Sequence, residues 1–239
     1  MTGPQGTPLL SIEGLSLWYG AVQALWHIDL RIDEGECVAV IGANGAGKSS
    51  LVNAIAGVGR PRSGRIRLAG LDIESLQPSR VSALGIAIVP ERRRLFPSLS
   101  IEENILVGAQ VGRPGPWTLK KIYDLFPELV PIRSLGGHLV SGGQQQMAAI
   151  ARALMANPRL LLCDEISLGL APIIVARFYS MFPALRASGI SILVVEQETR
   201  RALGACDRFY CLLDGKVSLS GRPLEVTEDA VNQSYFGIG

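Results

Sequence analysis

The stretch CVAVIGANGAGKSS, residues 37–50, determines the fold class. A short apolar run leads into Gly42, and residues 42–49 match the pattern GxxxxGK[ST] in full. This pattern forms a loop between a buried strand and a helix, and the loop's backbone amides surround phosphate. A glycine-rich turn that matches by chance is the weaker interpretation, because the required strand and helix context is present. The stretch therefore predicts a nucleotide phosphate site.

The loop residues have expected roles toward a bound nucleoside triphosphate and its Mg²⁺. We expect Lys48 to reach the β- and γ-phosphates and to act in catalysis, and the Ser49 hydroxyl to bind Mg²⁺. The predicted cofactor-binding residues of the loop are Gly42, Ala43, Asn44, Gly45, Ala46, Gly47, Lys48, Ser49 and Ser50.

Three further apolar runs have the continuous pattern of 37–42, and they are 85–90, 159–165 and 190–197. Continuous runs are typical of parallel strands that helices cover on both faces. Helical spacing occurs between them, at 48–57, 142–156 and 172–188. The order predicts an α/β fold with a parallel-sheet core, in which 190–197 is the last core strand. With the phosphate loop, the core resembles the phosphate-loop NTPases of the RecA-like kind.

Other segments predict two additions to this core. Residues 8–35 and 64–73 alternate apolar with polar residues, which indicates a small antiparallel β subdomain. From 98 to 156 the pattern is helical with Gly and Pro interruptions, as in an inserted helical subdomain. We expect one domain over 1–239, with its core in 8–97 and 157–239.

Composition excludes several classes of protein. A chain of 239 residues with 48% hydrophobic and 18% charged residues is neither disordered nor fibrous. The net charge of +2 gives no field that would attract nucleic acid, so no nucleic-acid partner is expected. Apolar stretches stay shorter than the roughly 18 to 20 residues of a membrane-spanning helix, and the start has no signal-peptide pattern. A cytoplasmic location is expected.

Two adjacent carboxylates, Asp164 and Glu165, end the buried run 159–165. Carboxylates at the end of a buried strand are costly unless a cation lies nearby, and the carboxyl edge of an α/β sheet is where ligands bind. Asp164 is the candidate for binding Mg²⁺, and Glu165 is the candidate general base for the attacking water. An acidic helix cap after a strand is the alternative, and the phosphate loop makes it the weaker one.

The sequence Ser141-Gly142-Gly143-Gln144 precedes a long predicted helix, and with it the chain resembles the ATP-binding cassette (ABC) ATPases. The family's signature, LSGGQ, implies that these four residues bind the γ-phosphate held by a second, facing subunit. The physical reading agrees in part, since a serine N-cap and open glycine amides suit an anion. Alone, the motif would be only a capped turn.

The resemblance covers essentially the whole chain and implies three further roles. Tyr19 stands where the family places an aromatic ring that stacks on adenine, with a half-buried strand aromatic as the alternative. Glu91 occupies the position of a glutamine that senses Mg²⁺, and a carboxylate there can bind the metal or its water. Gln197 stands where most cassettes have a catalytic switch histidine that touches the γ-phosphate.

Local motifs resemble the ATP-binding subunit of branched-chain amino acid importers, for example VPE at 89–91 and VEQ at 195–197. That resemblance implies that the chain works with two membrane permease subunits and, indirectly, with an extracytoplasmic solute-binding protein. It also implies a dimer of cassettes, either a heterodimer with a sister ABC ATPase or a homodimer. It places the chain peripherally on the cytoplasmic side of the plasma (inner) membrane. Ile166 departs from the usual proline, and Gln144 from a more frequent glutamate.

Other functions remain open at this point. An ATPase of an ABC exporter, such as that of lipopolysaccharide transport, would have the same fold and chemistry. A soluble non-transport cassette usually has coiled-coil insertions or tandem cassettes, and a regulatory cassette would not need intact Lys48, Asp164 and Glu165. The basic run 92–94 is either a solvated loop or a contact to the permeases.

Overall fold

The apolar runs of the sequence become the parallel strands of one sheet in the computed structural model, which describes residues 7–237. The strands are β1 (Leu10–Tyr19), β2 (Val22–Ile32), β3 (Cys37–Ile41), β4 (Ser63–Leu68), β5 (Leu71–Asp72), β6 (Ile86–Val89), β7 (Leu160–Asp164), β8 (Ser191–Glu196), β9 (Arg208–Leu213) and β10 (Lys216–Gly221). The helices are α1 (Lys48–Ile55), α2 (Pro78–Ala83), α3 (Ile101–Val107), α4 (Leu119–Leu125), α5 (Gly142–Met155), α6 (Pro172–Ser180), α7 (Phe182–Ala187), α8 (Thr199–Ala205) and α9 (Glu228–Phe236).

The main sheet has six strands in the order β10-β9-β3-β8-β7-β6. Its neighbouring strands are parallel except at the edge, where β10 is antiparallel to β9. Each parallel crossover contains helices, as in α/β proteins. The predicted α/β fold with a parallel core is confirmed.

Side chains of each parallel strand point alternately into two apolar clusters. In β3, Ala39 and Ile41 face the cluster that contains α5, whereas Val38 and Val40 face the cluster that contains α1 and the second sheet. Because both faces are covered, the strand sequence is apolar throughout rather than alternating. This arrangement holds the carboxyl ends of the strands rigidly in one row.

A second sheet, with the order β2-β1-β4-β5, is antiparallel throughout. It packs its apolar face, including Leu15 and Ile28, against the α1 side of the main sheet. The predicted antiparallel addition is confirmed. Between β6 and β7 the chain is helical, with α3, α4, α5 and 3₁₀ turns at 108–111, 127–132 and 137–139. The subdomain boundaries at 98 and 156 stay a prediction.

Two expectations about the carboxyl-terminal half were wrong. The predicted helix 172–188 is two helices, α6 and α7, because α6 ends at Ser180 and Pro183 lies in the first turn of the next helix. Residues 190–197 are not the last strand of the core, since β9 follows and pairs in parallel with β3. The hairpin β9–β10 turns at Asp214-Gly215, a turn dipeptide that the sequence displays.

Candidate nucleotide site

The carboxyl ends of four parallel strands bring together residues that are far apart in sequence. The phosphate loop 42–47 follows β3, and Asp164 and Glu165 stand at the end of β7. Gln197 follows β8, and Glu91 follows β6 after one proline. Ligands of open α/β sheets bind at this edge.

The phosphate loop depends on glycine where it enters α1. Gly47 is the N-cap of α1 with φ +101°, and a Cβ there would lie 2.9 Å from the Ala24 carbonyl oxygen and 2.9 Å from Leu25 Cδ2. Gly45 has φ +83° with open space around it. Both positions need the left-handed conformation, but only Gly47 also needs the absence of a side chain.

Lys48 is buried at the start of α1, with 4% of its surface exposed. Its ammonium donates to the carbonyl oxygens of Gly42, at 2.9 Å, and Ala43, at 3.1 Å. Its Nζ also lies 3.1 Å from Glu165 Oε1, and this ion pair is almost fully buried. The loop therefore surrounds the Lys48 ammonium, the group that the sequence analysis predicts to bind the triphosphate.

Glu165 lies between a cation and an amide. Its Oε1 faces Lys48, and its Oε2 accepts a hydrogen bond of 2.8 Å from Gln197 Nε2. Its backbone has φ +47°, a strained conformation for a residue with a side chain. Strain of this kind is found where the surrounding structure fixes a functional group, here a carboxylate at the sheet edge.

Ser49 and Asp164 form an oxygen pair that fits Mg²⁺. Ser49 Oγ lies 3.3 Å from Asp164 Oδ1 and donates to it. Burial, followed by the charge of Glu165, raises the pKa of Asp164 to about 6. A buried carboxylate that is costly to ionise alone, beside a hydroxyl, is a donor set that a hard cation stabilises.

Lys48, Ser49, Glu165 and Gln197 line a cavity of about 500 Å³, and Asp164 reaches it only through its hydrogen bond with Ser49. Its lining residues are Ala24, Asn44, Gly45, Gly47, Lys48, Ser49, Ser50, Glu91, Arg92, Glu165, Leu168 and Gln197. Glu91 Oε1 lies 3.3 Å from Arg92 Nε in a solvent-exposed pair. Most of the predicted loop residues, the base candidate and the Glu91 candidate thus share one cavity.

Other predicted residues lie apart from this cavity. Tyr19 is exposed at the end of β1 and does not line the cavity, so its ring is accessible for stacking from solvent. Gly42, Ala43 and Ala46 belong to the loop but do not line the cavity, and Ala46 is buried. The segment Ser141–Gln144 is at the N-terminus of α5, also outside the cavity lining.

The signature segment is held as a capped helix start. Ser141 Oγ accepts from the Gln144 backbone N–H at 3.4 Å, and Gln144 Oε1 accepts from the Ser141 N–H at 2.9 Å. The reciprocal capping box uses the Gln144 side chain, so glutamine at this position suits the motif. The Gly142 and Gly143 amides remain at the helix N-terminus, an arrangement that attracts anions.

The basic run 92–94 is only partly a solvated loop. All three arginines have positive φ, and Arg93 Nη1 lies 3.4 Å from Gln145 Oε1 on α5. Arg152, also on α5, donates to the backbone oxygens of Arg93 at 3.0 Å and Arg94 at 2.9 Å. The run connects Glu91 to the signature helix, which the sequence analysis did not anticipate because the partners lie more than 50 residues away.

A larger cavity, of about 830 Å³, lies at the opposite, amino end of the strands. Its lining mixes both signs of charge, including Glu36, Asp207 and Arg208. The smaller cavity is the better candidate for the reaction because it contains the phosphate loop and lies at the carboxyl ends of the strands.

Comparison with known proteins identifies the family. The family model described as "ABC transporter" matches residues 25–167, which is more than half of the chain. The chain belongs to the ABC transporter family. It is an ATPase of that family, and its fold is the one that the resemblance implied.

Full-length relatives of the ABC family have more than one transport role. The high-affinity branched-chain amino acid transport ATP-binding protein BraG of Pseudomonas aeruginosa is 40% identical over 96% of this chain and 100% of its own length. The lipopolysaccharide export system ATP-binding protein LptB of Acidithiobacillus ferridurans is 33% identical over 96% of this chain and 97% of its own. Among solved ABC structures, CbiO1 of Clostridium perfringens, part of an ABC transporter complex, superposes with a TM-score of 0.80 at 27% identity, covering 95% of this chain and 93% of that one.

We predict that the two loop glycines differ in how they tolerate alanine. Gly45→Ala should lower the free energy of unfolding by about 1–2 kcal/mol, the cost of a left-handed residue. Gly47→Ala should cost roughly 1–3 kcal/mol more, because its Cβ also meets the Ala24 oxygen. Urea denaturation without nucleotide measures both values. Equal losses for the two variants would show that the close contact at Gly47 does not constrain the loop.

Proposed function

We propose that this chain is the ATP-hydrolysing, energy-coupling subunit of an ABC importer for branched-chain amino acids or related small solutes. The observation that carries the ATPase part is the buried Lys48–Glu165 pair beside Ser49 and Asp164, at the mouth of a phosphate loop. A cation, a hydroxyl and a strained carboxylate line one cavity, and Asp164 is hydrogen-bonded to that hydroxyl. This set of groups suits phosphoryl transfer to water.

In the proposed reaction the triphosphate takes the place of Glu165 as the anionic partner of Lys48. The loop amides and the Lys48 ammonium bind the β- and γ-phosphates. Ser49 and Asp164 would hold Mg²⁺, with Glu91 at the same cavity, and the ion supplies positive charge that offsets the charge of the phosphates.

Glu165 is the proposed general base. The water oxygen bonds to the γ-phosphorus, the bond from that phosphorus to the bridging oxygen breaks, and the water proton goes to Glu165. Gln197 is proposed to orient Glu165 through the 2.8 Å hydrogen bond of its amide. A glutamine amide donates without becoming cationic, so its contribution differs from that of a protonated histidine at this position.

The site is proposed to be completed by a second cassette. Ser141, Gly142, Gly143 and Gln144 lie outside the cavity of their own chain, and the amides at that helix start suit the γ-phosphate bound by a facing subunit. The partner is a sister ABC ATPase or a second copy of this chain. Tyr19, exposed at the end of β1, is proposed to stack on adenine.

The importer part of the proposal rests on similarity. BraG matches this chain at 40% identity over its full length, and the probable branched-chain amino acid transport ATP-binding protein LivF of Archaeoglobus fulgidus matches at 33% over 94% of its length. The LptB match favours lipopolysaccharide export as the second candidate. Both candidates have the same hydrolytic chemistry.

The proposed partners follow from the same assignment. They are two membrane permease subunits and, indirectly, an extracytoplasmic solute-binding protein, with the chain bound peripherally on the cytoplasmic side of the inner membrane. Within residues 7–237, no helix has the length and hydropathy needed to cross a bilayer. The exposed Arg94 side chain beside α5 is available for a permease contact.

We predict that Glu165→Gln and Gln197→Ala slow ATP hydrolysis to different extents. Glu165→Gln should keep ATP bound and lower turnover by about 100-fold or more, because it removes the base and keeps the shape. Gln197→Ala should lower turnover by only about tenfold, the lower end of the effect of one hydrogen bond to a charged group. Glu198→Gln, at the next residue, is the control and should match the wild type. A Gln197→Ala defect as large as that of Glu165→Gln would contradict the assigned roles.

The solute class is tested by reconstitution. The chain, the permeases and the sister cassette encoded with it are incorporated into vesicles, and ATP turnover is measured with the cognate solute-binding protein. We expect leucine, isoleucine or valine to stimulate turnover and to be transported, with lipopolysaccharide inactive. Stimulation by lipopolysaccharide alone would replace the importer proposal by the exporter.

A further inference from the structure

Glu196, the last residue of β8, is a buried carboxylate that the proposed reaction does not use. Only 2% of its surface is exposed. Its Oε1 accepts from the Ser167 backbone N–H at 3.1 Å, and its Oε2 accepts from the Ser167 hydroxyl at 2.6 Å. Among the residues that the structure describes, no cation forms an ion pair with it. Burying a charged group without a cation costs free energy of folding. The two hydrogen bonds of Glu196 to Ser167 are therefore expected to have a function.

Ser167 belongs to the segment 165–171 between β7 and α6, which we name the base loop because it begins with Glu165. The end of β8 holds this loop at successive positions. The Val195 carbonyl oxygen accepts from the Glu165 N–H at 2.9 Å, Glu196 binds Ser167, and the Gln197 amide binds the Glu165 carboxylate. The end of β8 thus holds the base loop at three points, through the Val195 backbone, the buried Glu196 side chain and the Gln197 side chain.

The base loop needs such a restraint. Glu165 has a strained left-handed backbone, and Gly169 also has a positive φ. Ile166, between Glu165 and Ser167, does not have the fixed φ that a proline would give. A general base works only when its oxygen is held within hydrogen-bond reach of the attacking water, so a mobile loop would lower turnover.

We propose that Glu196 is a positioning residue for ATP hydrolysis, which acts through Ser167 to fix the base loop and thereby the direction of Glu165. This inference rests on the proposed role of Glu165. The carboxylate accepts the Ser167 N–H and the Ser167 hydroxyl on separate oxygens, and both hydrogen bonds are charge-assisted. A glutamine would replace one of these charged acceptors with a neutral NH₂ group, so the charge-assisted bond from the hydroxyl would be lost.

A plain structural role for Glu196 predicts a different result. If Glu196 only supported the sheet, its substitution would lower the free energy of unfolding and would lower ATP affinity and turnover together. Positioning of the base lowers kcat and leaves the affinity for ATP nearly unchanged, because the phosphate loop stands on β3 and not on the base loop.

The test compares four single variants of the full chain, Ser167→Ala, Ser167→Thr, Glu196→Gln and Ser191→Ala, and the double variant that combines Ser167→Ala with Glu196→Gln. Ser191 is the matched control, because it is buried on the same strand, at the opposite end, and also bonds a neighbouring loop through Gly35 N–H at 2.8 Å and the Asp33 oxygen at 3.2 Å. Single-turnover hydrolysis, ATP affinity and thermal unfolding are measured for each, with wild type and Glu165→Gln in parallel.

We expect Ser167→Ala and Glu196→Gln each to lower the single-turnover rate about tenfold, the effect of one lost charge-assisted hydrogen bond. Their ATP affinity should stay within about twofold of wild type, and the double variant should be no slower than the slower single one, since both changes break the same contact. Ser167→Thr, which keeps the hydroxyl, should restore the rate. Ser191→Ala should lower thermal stability without slowing the reaction.

Three results would overturn the inference. One is a rate for Ser167→Ala equal to that of Ser191→Ala, and another is a parallel loss of affinity and rate. The third is a multiplicative defect in the double variant. Should Glu196→Gln fail to fold, Ser167→Ala and its threonine counterpart decide the question. A wild-type chain that hydrolyses no ATP, or a fully active Glu165→Gln, would instead refute the proposed function and with it this inference.

Discussion

The buried ion pair between Lys48 and Glu165 is the interaction on which the rest of the site depends. Two opposite charges lie 3.1 Å apart at the edge of the sheet, and neither is exposed enough for water to stabilise it well. Each is therefore costly without a partner. A triphosphate that binds Lys48 would free Glu165 Oε1 for the attacking water while Gln197 still holds Oε2, so in the proposed mechanism the pair would couple nucleotide binding to the exposure of the base.

The sheet makes this arrangement rigid. Covering both faces of β3, β7 and β8 with apolar clusters fixes the three strand ends that hold the phosphate loop, the carboxylates and Gln197. Close packing allows little movement of these ends, because interiors are as dense as organic crystals. Arg93, in the segment after β6, donates to Gln145 on the signature helix α5, and Arg152 on that helix donates to the Arg93 carbonyl oxygen. These hydrogen bonds tie the signature helix to the edge of the sheet.

Local patterns predicted the fold and most of the cavity because they depend on nearest neighbours in sequence. The phosphate loop and the pair Asp164 and Glu165 follow from spacing and from buried strands. Glu196 was missed, although it ends an apolar run as Asp164 does, because its partner Ser167 becomes visible only when β7 and β8 lie side by side. The hydrogen bond of Gln197 to Glu165 is a tertiary contact of the same kind.

The most direct test of the central claim is the ATP affinity of Lys48→Ala beside that of Lys120→Ala. Lys120 is an exposed lysine on α4, and its loss removes the same charge at a distance from the loop. Titration calorimetry of the purified chain with ATP and Mg²⁺ should give an affinity for Lys48→Ala that is roughly 10- to 100-fold weaker, as expected for a lost bond between charged groups. The Lys120→Ala affinity should equal that of wild type. Equal affinities for all three proteins would contradict the assignment of Lys48 to the triphosphate.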